Sequence, residues 1–471
     1  MILIVVWDGL RPDMITPQRT PYLHRMAGQG VFCTASHAAF PTATRINATT
    51  ITTGCYPGQH GIADNGRYFP ALDAAKALNF ANWTHLQGMA DHEGRRLVSV
   101  PTLGEILRDA GKTMVSAGSG SPGTTYLTNP TAAGPVINWA WAWPQETHDA
   151  IQRRTGFLPQ NSAYATRNEF ALEALVEHLV PNHHPDVAVL WITEPDHAQH
   201  GHAPGSPEAL AALAALDRQL ETLVDTLERR GGPHTYLLAS DHGFSTISPQ
   251  VDVDARLVAA GLKATPEDTS ILYDCDSFYL NGAGASRYDD LLRFLAGEPW
   301  IGALLVRDDR MEAYLHAMPQ SAAFGDHDRS AELMFAYRWS PAENRYGVPG
   351  CSASYSSIAA THGSASPYDV NSSLVAWGAG IKRGLVSDLP CGNVDLAPTV
   401  LHLLGLPPAP SMQGRALTEL LAGGPDPASI EIEHSTREAI YESDNGPRRQ
   451  TAHYSQVHGY RYLDQITWEA V

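Results

Sequence analysis

Short apolar runs separated by helical patterns constrain this chain more than any other feature. Ile2–Val6, 186–191 (DVAVLW) and Thr235–Ala239 lack the apolar–polar alternation of a half-exposed strand, and so suit strands buried on both faces. Thr20-Pro21 offers an N-cap and an N1 proline for a helix that Gly28 and Gly30 close. Val31–Ala35 and Thr113–Ala117 read as further strands, and 101–110, 162–180 and 206–230 as helices. Strands alternating with helices predict an α/β class with a mostly parallel central sheet and helices on both faces. The rhythm breaks between 251 and 350, where Leu292–Leu295, Ile301–Val306 and Glu332–Tyr337 mix helix and strand. It resumes at Ser373–Trp377 and in a helix over 394–404, and the last forty residues are irregular and strand-like. The expected organisation is a core over 1–250 and 351–430, an inserted cap over 251–350 and a strand-like extension over 431–471.

A chain of 471 residues exceeds the size at which one hydrophobic core keeps growing, in keeping with a core plus insertion. Its net charge is −18, only four of its 32 basic residues are lysine, and none form a track for a phosphate backbone. Polymeric nucleic acid is therefore not an expected partner. MILIVVWDGL is too short for a membrane span and lacks the basic start and cleavage site of a signal peptide. A cytoplasmic chain with no membrane partner is expected, or an exported one if a leader was trimmed; a homodimer stays open. The five cysteines are scattered and odd in number, without CxxC spacing, and read as reduced or buried thiols. A Cys351–Cys391 pair is left undecided.

Ligands of open α/β sheets bind beyond the carboxyl ends of the strands. The first strand ends at Asp8, the strand 186–191 runs into PDHAQHGH with Asp196 and His200, and the strand 235–239 runs into SDHG with Asp241 and His242. The stretch FPTATRINATTITTG, with Thr44, follows another strand. An Asp-Gly after a strand is ordinarily turn chemistry, and Asp and His four apart are common on helices. Together, three carboxylates and two histidines at strand ends predict a divalent-metal site. Mixed Asp and His donors suit zinc or another first-row metal better than magnesium or calcium. THGSASPYD supplies His362, which would complete two three-ligand sets.

The order DG, PTxT, HGI..N, PDxxxH, SDHG, THG resembles the alkaline phosphatase superfamily. Within it, the chain looks most like the type I phosphodiesterase/nucleotide pyrophosphatases, over residues 1 to about 415. The resemblance implies an alkaline-phosphatase-like core and hydrolysis of a small phosphoester substrate through a covalent phosphothreonine on Thr44. It implies one metal held by Asp8, Asp241 and His242 with Thr44, and a second held by Asp196, His200 and His362. Asn65 matches the amide that donates to a non-bridging phosphate oxygen. Thr42 is expected to shape the turn, and Thr49, Thr50, Thr52 and Thr53 to pack or back-bond within a short helix.

The chain departs from that pattern at the residue after Thr44. Members acting on nucleotides carry an aromatic there, whereas this chain has Arg45. Arg45 is able to stack on a base or aryl group, to pair with an anionic oxygen, or simply to face solvent. Some relatives cleaving monoesters or phosphonates bring extra Lys or Arg from a segment that corresponds to SAGSGSPGTTYL (116–127), which has neither. A phosphodiester is therefore the expected substrate class, with a phosphonate or phosphomonoester hydrolase as the alternative and a phosphomutase behind both. A dedicated sulfatase is disfavoured, because Thr44 stands where sulfatases carry a modified cysteine.

Overall fold

The structure, a computed structural model, describes residues 1–131 and 133–471. Its centre is a ten-stranded sheet. In spatial order its strands are Leu385–Ser387, Val31–His37, Asn371–Gly378, Thr235–Ala239, Ile2–Trp7, Val187–Ile192, Met114–Gly118, Val136–Asn138 and Trp141–Trp143, with Cys391–Gly392 also paired to Val31–His37. Ile2 lies opposite both Val187 and Thr235 in parallel register. A strand flanked on both edges and covered on both faces has no use for polar side chains, and all six residues of Ile2–Trp7 are buried. Ile2, Ile4 and Val6 pack with Ala48 and Ile51 of the helix Thr44–Thr53. Leu3, Val5 and Trp7 pack on the other face with Leu213, Leu216 and Leu220 of the helix Pro207–Arg230. The two-residue period of the strand thus builds two apolar layers.

Two strands run against the rest. Trp141–Trp143 is antiparallel to Val136–Asn138, and Asn371–Gly378 is antiparallel to both of its neighbours. The second reversal positions the site. Because this strand enters from the edge at which the parallel strands leave, the segment preceding it, with His362, arrives at the same edge as Asp8, Asp196 and Asp241.

Local details differ from the pattern reading in places. Thr20 occupies the N-cap position but makes no capping bond; its hydroxyl turns instead to the Met14 carbonyl. The helix expected over 162–180 passes from Tyr164–Glu173 into a π turn, Ala174–Leu179, before Val180–His183. Pro181 brings no N–H to an α ladder, and a wider turn before it absorbs the missing donor. All five cysteines are free. Cys351 lies in a different sheet from Cys391, whose thiol neighbours Cys33, so the pairing left undecided does not form.

Apart from the central sheet, Ile271–Asp274, Ser277–Leu280, Leu333–Tyr337 and Ile301–Val306 form an antiparallel sheet. A second sheet joins Trp339–Glu343, Pro349–Ser354, Ser245–Gln250 and Ala360–Thr361. The strands Glu433–Tyr441, Arg448–Val457 and Tyr460–Ala470 make a third. Tyr454, Leu463, Ile466 and Trp468 of that last sheet share one apolar cluster with Ile301–Val306 and Phe335. Among the described residues no helix is long and apolar enough to cross a membrane.

Candidate active site

The chain turns sharply at each strand end, and the turns lock the acids together. Gly9, at φ +72°, lies where a Cβ would come within 2.9 Å of the Phe244 ring and 3.2 Å of the Asp196 Cα, a place open only to glycine. The Gly9 N–H donates to Asp241 Oδ1 at 3.0 Å, and the Asp196 N–H donates to the Asp8 carbonyl at 2.9 Å.

Two groups of ligand type result: Asp8, Asp241 and His242, and Asp196, His200 and His362, each with its donor atoms within 4.8 Å of one another. His242 Nε2 lies 3.2 Å from Asp241 Oδ2 and 3.5 Å from Asp8 Oδ1. His200 and His362 bring their Nε2 atoms within 3.2 and 3.5 Å of Asp196 Oδ1. Each ring also places Nδ1 against a backbone carbonyl: Gly243 at 2.9 Å for His242, Ala360 at 2.8 Å for His200 and Thr42 at 2.8 Å for His362. A carbonyl only accepts, so Nδ1 carries the proton and a neutral ring turns the Nε2 lone pair inward. Lone pair then faces carboxylate oxygen. Asp8 Oδ1, Asp241 Oδ2 and Asp196 Oδ1 are indeed buried without a hydrogen-bond partner, although Asp8 Oδ2 accepts from Trp191 and Asp241 Oδ1 from Gly9. Orphaned oxygens and inward lone pairs converging within each group fit a divalent cation in each. The stacked rings of His242 and His362, with centroids 3.6 Å apart, join the two groups.

The electrostatics differ between the groups. Burial, reinforced by the charges of Asp241 and Asp196, pushes the Asp8 carboxyl well above the usual range, and burial also raises Asp241. At Asp196 burial is outweighed by the attraction of His200, with His362 and His242 adding to it, whenever those rings carry a second proton, and this holds the carboxyl low; the same pairing outweighs burial at His200 and favours its protonated form in the absence of a cation. His362 is pushed well down by burial and by His242.

Thr44 opens the helix Thr44–Thr53, and its hydroxyl lies 3.4 Å from His242 Nε2. The N-cap residue, Ala43, gives no side-chain cap, so the positive end of the helix faces the cavity that Thr44 lines. Asn65 Oδ1 accepts the Arg45 N–H at 3.0 Å, which leaves the amide NH2 to donate into that cavity. Arg45 does not face solvent. It reaches across to Ser121 Oγ at 2.9 Å, lines the cavity and keeps a buried Nε without a partner. Thr42 bonds across to the His362 loop, donating to the Ser364 carbonyl and accepting from the Gly363 N–H, instead of shaping its own turn. Thr49, Thr52 and Thr53 back-bond to carbonyls of their own helix, and Thr50 pairs with His60.

All nine candidate residues thus lie together around one edge of the sheet, with Thr44, Arg45, Asn65, Asp196, His200 and His362 lining a cavity of about 220 Å³. The same cavity is lined by Cys275, Asp276, Tyr337 and Tyr355. The sequence pattern did not single these out. They reach the site from the antiparallel sheet and the second sheet, and the local signal is an acidic pair around a short hairpin, DCDS.

A family model described as type I phosphodiesterase / nucleotide pyrophosphatase matches residues 2–359. The chain is 27% identical over 262 residues to a venom phosphodiesterase of Macrovipera lebetinus, covering 51% of this chain and 24% of that protein. It is 24% identical over 438 residues to ectonucleotide pyrophosphatase/phosphodiesterase family member 1 of Mus musculus, covering 87% and 41%. The chain therefore corresponds to only part of these relatives. Among solved structures, murine ectonucleotide pyrophosphatase/phosphodiesterase 5 in complex with AMP has a TM-score of 0.62 at 19% identity, covering 89% of this chain and 99% of that one. Wild-type alkaline phosphatase PafA has a TM-score of 0.65 at 18% identity, covering 89% and 98%. At such identities these structures speak for the fold.

Proposed function

The chain belongs to the type I phosphodiesterase / nucleotide pyrophosphatase family, and from that premise we propose that it hydrolyses small phosphodiesters, nucleotide-like or alkyl and aryl, through a phosphorylated Thr44. One observation carries the reading: a lone buried hydroxyl at an uncapped helix start, 3.4 Å from His242 Nε2 and beside two convergent Asp/His groups. Asp8, Asp241 and His242 would hold one divalent ion and Asp196, His200 and His362 another, zinc being the metal their mixed donors favour. Such ions, when bound, lower the pKa of a hydroxyl and stabilise charge on a leaving oxygen.

The chain's own groups do the rest. Thr44 Oγ1 forms the new bond to phosphorus as the bond to the departing alcohol oxygen breaks. Water then displaces Thr44, releasing a monoester and regenerating the hydroxyl. The Asn65 NH2 donates to a non-bridging oxygen, where charge gathers in the transition state. The positive end of the helix Thr44–Thr53 favours the same anion. Thr42 fixes the His362 ring by accepting its Nδ1–H at the backbone carbonyl. The venom and murine relatives carry names of diester-cleaving enzymes, and the bound AMP of one neighbour is in line with a nucleotide-sized ligand in such a fold.

A second reading, a phosphomonoester or phosphonate hydrolase, is favoured by one feature. Arg45 lies in the cavity with an unpartnered nitrogen and is able to meet an additional negative charge. Bis-aryl and mono-aryl phosphates with one leaving group separate the two. A monoester dianion carries one more charge than a diester, and an unmatched charge in a partly desolvated site costs several kcal/mol, roughly a hundredfold or more in rate. The diester is expected to win in kcat/KM, with Arg45→Ala hurting the monoester more. A wild-type monoester preference that disappears in Arg45→Ala would move the protein to the second reading.

A further inference from the structure

The cap presents to the cavity a carboxyl that nothing in the chain uses. Asp276 is 5% exposed and lines the cavity, yet its side chain accepts no hydrogen bond and has no ion-pair partner among the described residues. Its backbone is fixed, since the Asp276 N–H donates to Asp64 and its carbonyl accepts from the Phe335 N–H. The carboxyl lies against Gly363, where a Cβ would come within 2.6 Å of Asp276 Oδ2, so it sits next to the His362 loop.

Two residues beyond Phe335, Tyr337 is also 5% exposed and lines the cavity with a hydroxyl that is buried and unpartnered. The ring of Tyr355 stands 6.4 Å from that of Tyr337, so the wall around the two orphaned groups is aromatic. Burial, and then the negative charges of Asp64, Asp369 and Asp274, push the Asp276 carboxyl well up. This acidic pole does not form a third metal site. Among the described residues only the two groups already named bring their ligand atoms together.

A carboxyl and a hydroxyl, both buried, both facing a cavity and both lacking partners, ask for a ligand with N–H donors and positive charge. Aromatic faces favour the same charge. We propose that Asp276 and Tyr337 form a specificity subsite for a primary ammonium on one of the two groups esterified to phosphorus, so that the substrates are small aminoalkyl phosphodiesters. The subsite rests on the diesterase reading and names the substrate class of that same site. Arg45, on the Thr44 side and anchored to Ser121, meets phosphoryl oxygens, while Asp276 meets the ammonium. The compact cavity suits a short substituent. A trimethylammonium group would satisfy the charge and the rings but leave both orphaned acceptors unmet, because it has no N–H.

The metal-loaded enzyme is tested on 4-nitrophenyl phosphodiesters whose second ester is 2-aminoethyl, propyl or 2-(trimethylammonio)ethyl, with 2-aminoethyl phosphate and propyl phosphate compared as ligands by calorimetry. The aminoethyl ester is expected to exceed the propyl ester by roughly tenfold or more in kcat/KM, mostly through KM, with the trimethylammonium ester between them. Asp276→Asn should bring aminoethyl and propyl within about twofold, and Tyr337→Phe, which keeps the ring, should reduce the preference by about threefold. Equal handling of aminoethyl and propyl esters would overturn the subsite, as would a trimethylammonium ester that matches the primary one. A preference surviving in Asp276→Asn would do the same. If no diester is turned over, the diesterase reading falls by itself. The calorimetry still decides, tighter binding of 2-aminoethyl phosphate supporting the subsite and equal binding removing it.

Discussion

Thr44 differs from the threonines around it in where its hydroxyl goes. Thr49, Thr52 and Thr53 each donate to a carbonyl four residues back, Thr50 pairs with His60, and Thr42 donates to Ser364, 322 positions away. Thr44 alone turns its oxygen toward a metal-type group, at His242. Thr44→Ala is therefore expected to lower kcat by about 10³-fold or more, with residual rate from the rest of the site. Metal content should be unchanged, because Asp8, Asp241 and His242 converge without the hydroxyl. Steady-state kinetics and elemental analysis of the one variant check both. Near wild-type turnover in Thr44→Ala, with Thr42→Ala or Thr49→Ala inactive, would mean that the wrong hydroxyl has been chosen. The helical back-bonds were legible in the sequence, since a four-residue reach is set by the helix itself. The Thr42 bond was not, because only the reversed strand Asn371–Gly378 brings its partner near.

The segment between the helix Thr44–Thr53 and Asn65 shows how an element holds the site. The side chain of His60, with no solvent exposure, accepts the Ile62 N–H on Nδ1, so its proton sits on Nε2 and points to Thr50 at 3.1 Å. Four residues on, Asp64 accepts from the Asn65 N–H at 2.7 Å and from Ser277 Oγ at 2.8 Å, tying the loop to the strand Ser277–Leu280. The HGI motif is thus a brace for Asn65, which explains its place in the pattern without giving His60 any chemistry. Burial and then His327 lower His60 from 6.5 to about 3. The unfolded chain takes up this proton first on acidification. The contribution is therefore fully present above about 6.5 and is lost as pH falls toward 3, at about 1.4 kcal/mol per pH unit. His60→Gln should lose about 1–3 kcal/mol at pH 7 by leaving a buried donor or acceptor unmet, yet show a shallower decline on acidification. Urea unfolding at several pH values from 7 to 5 reads the difference; parallel declines in wild type and variant would assign the acid sensitivity elsewhere.

Across the whole molecule, the legible part of the design is the part written in strand ends. Asp8, Asp196, His200, Asp241 and His242 follow apolar runs whose burial on both faces shows in composition alone, and the sheet assembles those runs side by side. The far wall of the cavity was hidden. Asp276, Tyr337 and Tyr355 become neighbours of Thr44 only through long-range packing, in which Tyr454 and Trp468 of the last sheet complete an apolar cluster with Phe335. Such packing leaves no periodicity to read. The two Asp/His groups lie outside the apolar layers, at the sheet edge, so chelation should abolish activity while leaving far-UV circular dichroism at 25 °C nearly intact. Ions that bind only the native state stabilise it by about 4 kcal/mol at a free concentration a thousandfold above Kd, so Tm should fall by several degrees on their removal. Asp8→Asn separates ligand from fold. Asp8 is 3% exposed with an unpartnered oxygen near Asp241 and Asp196, an arrangement that costs stability until a cation neutralises it. The metal-free variant should therefore melt at or above metal-free wild type, yet gain less from added zinc and turn over slowly or not at all. Thermal melts of both proteins with and without zinc, beside their metal content, decide the matter. Full activity after exhaustive chelation, or an Asp8→Asn protein that keeps the wild-type gain from zinc, would count against a metal held by Asp8, Asp241 and His242.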